Sequence, residues 1–185
     1  MAARNMVLAG LFAALIAIGS QISFVIPPSP VPHTLQVFFV MLSGLILGSK
    51  WGSISVGLWI LLGAFGLPVF AQGKAGLAAV LGPTGGFLLG FTLCAYVVGR
   101  ITERFGLAYK VVAGAMVLGM IIVYTLGLVG FMACFQYFLH KPMTWEKAFM
   151  LTTLPFAPFD LVKSLFAGYI GIKVRRALIQ AGYSA

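Results

Sequence analysis

From Asn5 to Ser49 the chain carries no Asp, Glu, Lys or Arg, and the same is true from Val111 to His140. A backbone crossing lipid has no water to bond, so it must pair its own N–H and C=O groups, and apolar runs of about 20 residues do so as helices. One soluble core could not hide these runs in a chain that is 61% hydrophobic and 8% charged; a soluble domain carries roughly 25% charged residues. The sequence therefore implies an all-α membrane protein.

The net charge of +9 does not point to nucleic acid. Its basic residues stand in short clusters between the apolar runs, as the positive-inside rule expects. Cys94 and Cys134 lie within apolar runs without metal-ligand spacing and read as core residues. Arg4 followed by an apolar run resembles a signal peptide, but the run continues to Ile26, long enough to cross, so a retained first helix is expected.

Proline, glycine and charge divide the chain into six predicted helices in a single transmembrane domain spanning 1–185: about 6–26, 34–48, 51–66, 83–100, 111–140 and 152–174. Pro27, Pro28, Pro30 and Pro32 predict an extended loop after the first helix. A tight turn is expected around Lys50, and a glycine-rich connection from Leu67 to Gly82. With the N-terminus cytoplasmic, Arg4, Lys50, Arg100, Arg104, Lys110, Lys173, Arg175 and Arg176 lie inside, and Lys74, Lys141 and Lys147 outside. This asymmetry places both termini in the cytoplasm. The proline loop, the glycine-rich loop and the start of the last helix then share the outer face.

Of three acids, Glu103 is expected to be solvated among Arg100, Arg104 and Lys110, and Glu146 shares an outer loop with Lys141 and Lys147. Asp160 stands at the outer end of the last helix with Lys163 three residues on, the spacing that puts both on one face. Ionisable groups at membrane depth are costly. The pair is either an interfacial salt bridge or a polar patch lining an outward pocket, its carboxylate accepting from ligand N–H groups.

Gly82-Pro83-Thr84-Gly85-Gly86-Phe87 opens a helix whose free N–H groups favour an anion or a carbonyl oxygen; the bland alternative is a tight packing turn. Gln36 either faces a cavity or reaches interfacial water. His33 and His140 have no second ligand at metal spacing, and His33 is expected to be interfacial. Ala9, Ala13 and Ala17, at intervals of four, form a stripe that either packs inside the bundle or docks another membrane protein. No Gly-Lys-Ser/Thr phosphate loop, Ser-His-Asp order or His-Glu-x-x-His occurs, so no catalytic residue, metal or cofactor is expected and energy must come from a partner or a gradient.

Val31-Pro32-His33-Thr34-Leu35-Gln36, Leu47-Gly48, Gly66-Leu67-Pro68-Val69-Phe70, Leu81-Gly82-Pro83-Thr84-Gly85-Gly86-Phe87 and Asp160-Leu161-Val162-Lys163 occur in this order. Together they resemble the BioY family, biotin-specific substrate-capture (S) components of energy-coupling factor (ECF) transporters. The resemblance implies a six-helix bundle in the bacterial cytoplasmic membrane, with biotin held near the outer face. It also implies an EcfT-like transmembrane subunit and two ATPases as partners, with the helix 1 alanine stripe as the docking surface. The site residues it implies are Asp160, Lys163, Gln36, Thr84, Gly85 and Lys74 as polar or close-approach groups, with Phe70 and Phe87 as walls. His33 departs from the family pattern, where apolar or aromatic residues are common, and Phe87 stands where Tyr is common. An S component for another vitamin, or a membrane scaffold with a structural Asp160–Lys163 pair, are the competing readings.

Overall fold

The computed structural model describes residues 2–27 and 29–182; Pro28 of the proline run lies outside the described residues. The chain runs back and forth between two ends of a helical bundle. Four of its helices are long and apolar enough to cross a membrane.

Helix α1 (Ala2–Gln21) stops short of the expected Ile26 because the next residues pair elsewhere. β1 (Ser23–Val25) and β2 (Pro32–Thr34) form an antiparallel hairpin, with Phe24 opposite His33. The proline run is thus part of a hairpin rather than a free extended loop. Proline tolerates this because every strand of a two-stranded ribbon is an edge. Ala9 and Ala13 are each 2% exposed and turned into the bundle, where α1 packs on α2. Ala9 and Ala13 thus stand at an internal helix contact rather than on an outer docking face, and Ala17 is half-buried. The exposed side of α1 carries Met6, Val7, Leu11 and Ile18.

α2 (Gln36–Ala64) is broken at Gly48, whose φ of 82° and ψ of 179° are not helical. The chain reverses there. A methyl placed on Gly52 would lie 2.6 Å from the Gly44 Cα, a proximity that eight residues of straight helix, about 12 Å long, cannot give. The two arms, 36–47 and 49–64, lie side by side.

The reversal exposes helix ends, and two side chains meet them. The Glu103 carboxylate accepts from the Ser49 N–H at 2.6 Å and from its hydroxyl at 2.8 Å. Buried Arg175 donates to the Leu45 carbonyl at 2.8 Å and to the Thr102 hydroxyl at 2.9 Å. An acid at the start of one arm and a cation at the end of the other both complement the helix dipoles. Glu103 is therefore a cap, not only a solvated charge. We expect Glu103→Ala to cost about 1 kcal/mol, read as a melting temperature lowered by roughly 2–4 °C; an unchanged melting curve would contradict the capping role.

α4 (Gly85–Phe105) runs past the expected end at Arg100 and stops at Gly106, whose φ is 83°. It is preceded by the short α3 (Leu77–Val80) within the glycine-rich connection. α5 (Tyr109–Ala133) continues into a π-wound turn, Cys134–Phe138. The expected last helix, 152–174, is α7 (Ala157–Gln180), which starts and ends later, and a short α6 (Trp145–Thr152) occupies the stretch expected as an outer loop. Pro155 separates them, and Pro158 occupies the first turn of α7, where no N–H is needed. Trp59, Phe131, Ile16, Met41 and Leu45 are fully buried in the core.

Candidate functional site

The hairpin, the start of α2, the glycine-rich connection, the start of α4, the middle of α5 and the start of α7 meet around a cleft. It holds about 740 Å³ of space between atoms, open solvent included; small-molecule sites are concave and lined mostly by apolar side chains. Apolar rings and aliphatic side chains dominate its wall, as such sites require.

Six of the eight expected ligand residues line it: Gln36, Phe70, Lys74, Thr84, Phe87 and Asp160. Gly85 is not among the lining residues. A Cβ there would fall within 1.9 Å of the Val80 carbonyl oxygen, so its lack of a side chain serves the approach of α4 to the preceding turn. Lys163 also stands outside the cleft, in a lateral groove with Ile22, Phe24, Phe159 and Val162.

The walls are fixed by carbonyls. Ser20, Gln21 and Trp59 donate to the backbone oxygens of Val69, Phe70 and Pro68, pinning the segment that carries Phe70. Phe70 meets Trp59 edge-on at 5.3 Å and sits over Gly63, where any side chain would strike its ring. Phe87 rests in the same way over Gly127. Lys74, exposed, stands at the cleft's rim on the glycine-rich connection.

At the floor lies a closed polar set. Lys163 Nζ lies 2.5 Å from Asp160 Oδ1, donates to the Thr34 carbonyl at 2.8 Å, and lies 3.3 Å from His33 Nε2. The Tyr124 hydroxyl donates to Asp160 Oδ2 at 2.6 Å. An ammonium has three protons, and here each has an acceptor; a carboxylate has about four lone-pair sites, and two are used. Asp160 thus keeps accepting capacity on the cleft while Lys163 has no donor to spare. Gln36 accepts from Thr34 Oγ1 at 2.9 Å through Oε1, and its Nε2 donates to no described residue. The polar groups of the cleft are therefore an acceptor at the floor, an amide donor beside it and a cation at the rim.

His33 and Tyr124 line the cleft although the sequence did not place either of them at the ligand. Tyr124 sits inside an apolar run, 36 residues from its partner, and no local spacing reveals such a pair. His33 is buried within the protein: it is 5% exposed, stacked on Phe156 at 5.1 Å and flanked by Phe24 and Phe159. Burial and the neighbouring Lys163 charge hold its pKa below the ordinary histidine value, against a smaller opposing pull from Asp160. Among the described residues, no group of three His, Cys, Asp or Glu side chains is placed to hold a metal ion.

The BioY family profile matches residues 1–180. The biotin transporter BioY of Thermotoga maritima is 41% identical over 178 residues, covering 96% of this chain and 99% of that protein. The biotin transporter BioY of Rhodobacter capsulatus is 42% identical over 179 residues, covering 90% of each. A crystal structure of the S-component for biotin from an ECF-type ABC transporter superposes with a TM-score of 0.83 at 25% identity, covering 94% of this chain and 92% of the other.

Proposed function

The chain belongs to the BioY family, and from that premise we propose that it captures biotin in the cleft as the substrate-binding component of an ECF-type transporter. Biotin presents a ureido ring with two N–H donors and a carbonyl, an apolar thiophane and a tail ending in a carboxylate. A floor that accepts and a rim that carries a cation orient such a molecule. The ureido N–H groups meet Asp160, Phe70 and Phe87 flank the thiophane, Gln36 and Thr84 supply further hydrogen bonds, and the tail carboxylate lies toward Lys74. The opposite orientation would set the tail's negative charge against Asp160, whose cation is already fully engaged. The carrying observation is that Asp160 lines the cleft and Lys163 does not.

The chain is a multi-pass membrane protein with six crossings: α1, the two arms of α2, α4, α5 and α7. Both termini face the cytoplasm and the cleft faces outward, in keeping with the basic residues gathered at the Gly48 end. Uptake needs energy that no nucleotide-binding motif of this chain supplies, so an EcfT-like subunit and two ATPases provide it. The membrane is the bacterial cytoplasmic membrane.

Radiolabelled biotin should bind the purified protein saturably, and excess unlabelled thiamin or riboflavin should not displace it. Absence of a saturable biotin signal overturns this function. Displacement by either control vitamin points to another S-component specificity.

A further inference from the structure

His33 is the most constrained polar side chain near the cleft that the proposed contacts leave unused. Its Nε2 faces the Lys163 ammonium at 3.3 Å, and an ammonium can only donate. Nε2 must then present its lone pair, which places the imidazole proton on Nδ1. That Nδ1 is buried and has no hydrogen-bond partner among the described residues. Buried polar groups are seldom left unpaired, and an exception calls for a missing partner. His33 is among the residues that line both the cleft and the lateral groove beside Lys163.

We propose that His33 is a positioning residue for the ligand: Nε2 fixes Lys163 against Asp160, and the Nδ1–H is a donor to a ligand oxygen, the ureido carbonyl of biotin. This rests on the function proposed above and adds a contact to it. Donor and acceptor then alternate at the floor, Asp160 accepting from the ureido N–H and His33 donating to the adjacent carbonyl. The Nε2 role requires a neutral ring, since only an unprotonated Nε2 can accept from Lys163, while the Nδ1–H is present in either state. A second proton would put two cations 3.3 Å apart and remove the acceptor that Lys163 uses.

The charged and titratable groups around His33 are few. Lys163 and Asp160 face it from α7, Tyr124 reaches it from α5 through Asp160, and Lys74 stands across the cleft on the glycine-rich connection. The hairpin strand opposite contributes only Phe24, and the α7 side adds Phe156 and Phe159. Burial and Lys163 already favour the neutral ring, and the Lys163–Asp160 arrangement that the ligand meets exists only with a ring that can accept at Nε2. Linkage then requires that affinity fall on acidification, by up to tenfold per pH unit once the free protein's ring begins to protonate.

The test is biotin affinity of the full chain in detergent from pH 7.5 to 5, for the protein and for His33→Gln and His33→Phe. The protein should bind well at pH 7.5 and lose affinity only on the acid side of the ordinary histidine range, because the ring's pKa is lowered. His33→Gln, whose amide can accept from Lys163 and donate to the ligand, should bind within about threefold at pH 7.5 with the acid limb flattened. His33→Phe should bind at least tenfold more weakly at pH 7.5. An acid limb that persists in His33→Gln, or a flat profile in the protein itself, overturns the proposal. So does wild-type affinity in His33→Phe. Should the variants not fold, the imidazole signals of the protein, with His140→Gln assigning the second one, give the same answer. Biotin must move the His33 Nδ1 resonance and lower the ring's pKa; no change in either overturns the proposal. No biotin binding at pH 7.5 by the unaltered protein instead overturns the function on which it rests.

Discussion

Asp160→Asn should lower biotin affinity by at least a hundredfold while leaving a folded protein. The Asp160 and Lys163 side chains are 10% and 16% exposed, so the pair is nearly withdrawn from water. Removing one charge leaves the other buried and uncompensated, which typically costs about 3–5 kcal/mol. Asparagine keeps the shape and can still accept from the Tyr124 hydroxyl, so part of that cost falls on the folded state as a lower melting temperature. The rest falls on binding. A hydrogen bond from a ligand N–H to a charged acceptor contributes about 1.5–3 kcal/mol, and the amide also presents N–H groups where the ureido ring needs an acceptor. Isothermal titration of the variant, with its melting curve beside it, separates the two losses. Unchanged affinity with a lower melting temperature would make the pair a structural anchor and remove it from the site.

Much of the fold and part of this site were legible in the sequence, and the reasons differ from residue to residue. The charge-free runs announce helices because lipid permits little else, and Asp160 stands out because it is an acid where acids are rare. The Asp160–Lys163 pair was visible because helical spacing is local. What the sequence could not order was depth. Both residues of the pair were expected at the ligand, but only Asp160 reaches the cleft, since Lys163 is drawn back by Thr34 and His33 from a different element. Tyr124 and His33 depend on contacts between segments that no spacing rule links. Gly85 and the alanine stripe were ambiguous for one reason: small residues mark close approach but not what approaches. At Gly85 it is the Val80 carbonyl, and at Ala9 and Ala13 it is the bundle interior. Glu103 likewise looked solvated because its partner, Ser49, is distant in the chain.

That ambiguity makes the neighbouring glycine the sharpest structural test. A Cβ on Gly86 would lie 2.3 Å from the Leu126 carbonyl oxygen and 2.8 Å from the Gly130 Cα, and one on Gly130 would lie 2.5 Å from the Gly86 Cα. Both obstacles are backbone, so no rotamer change relieves them, and α4 and α5 would have to separate. Overpacking costs typically 1–3 kcal/mol even where side chains can adjust, so Gly86→Ala should lose about 3 kcal/mol and Gly86→Val should yield no folded protein. Gly114, on α5 with nothing within 4 Å of its Cβ position, is the matched control. There alanine should be neutral or stabilise by up to about 1 kcal/mol through helix propensity. The consequence reaches the ligand because Thr84, two residues before Gly86, and Phe87, directly after it, both line the cleft. Any Gly86→Ala protein that does fold should therefore bind biotin at least tenfold more weakly, since α4 must shift to admit the methyl. Wild-type melting and wild-type affinity in Gly86→Ala would mean that α4 and α5 do not pack as closely as this geometry requires.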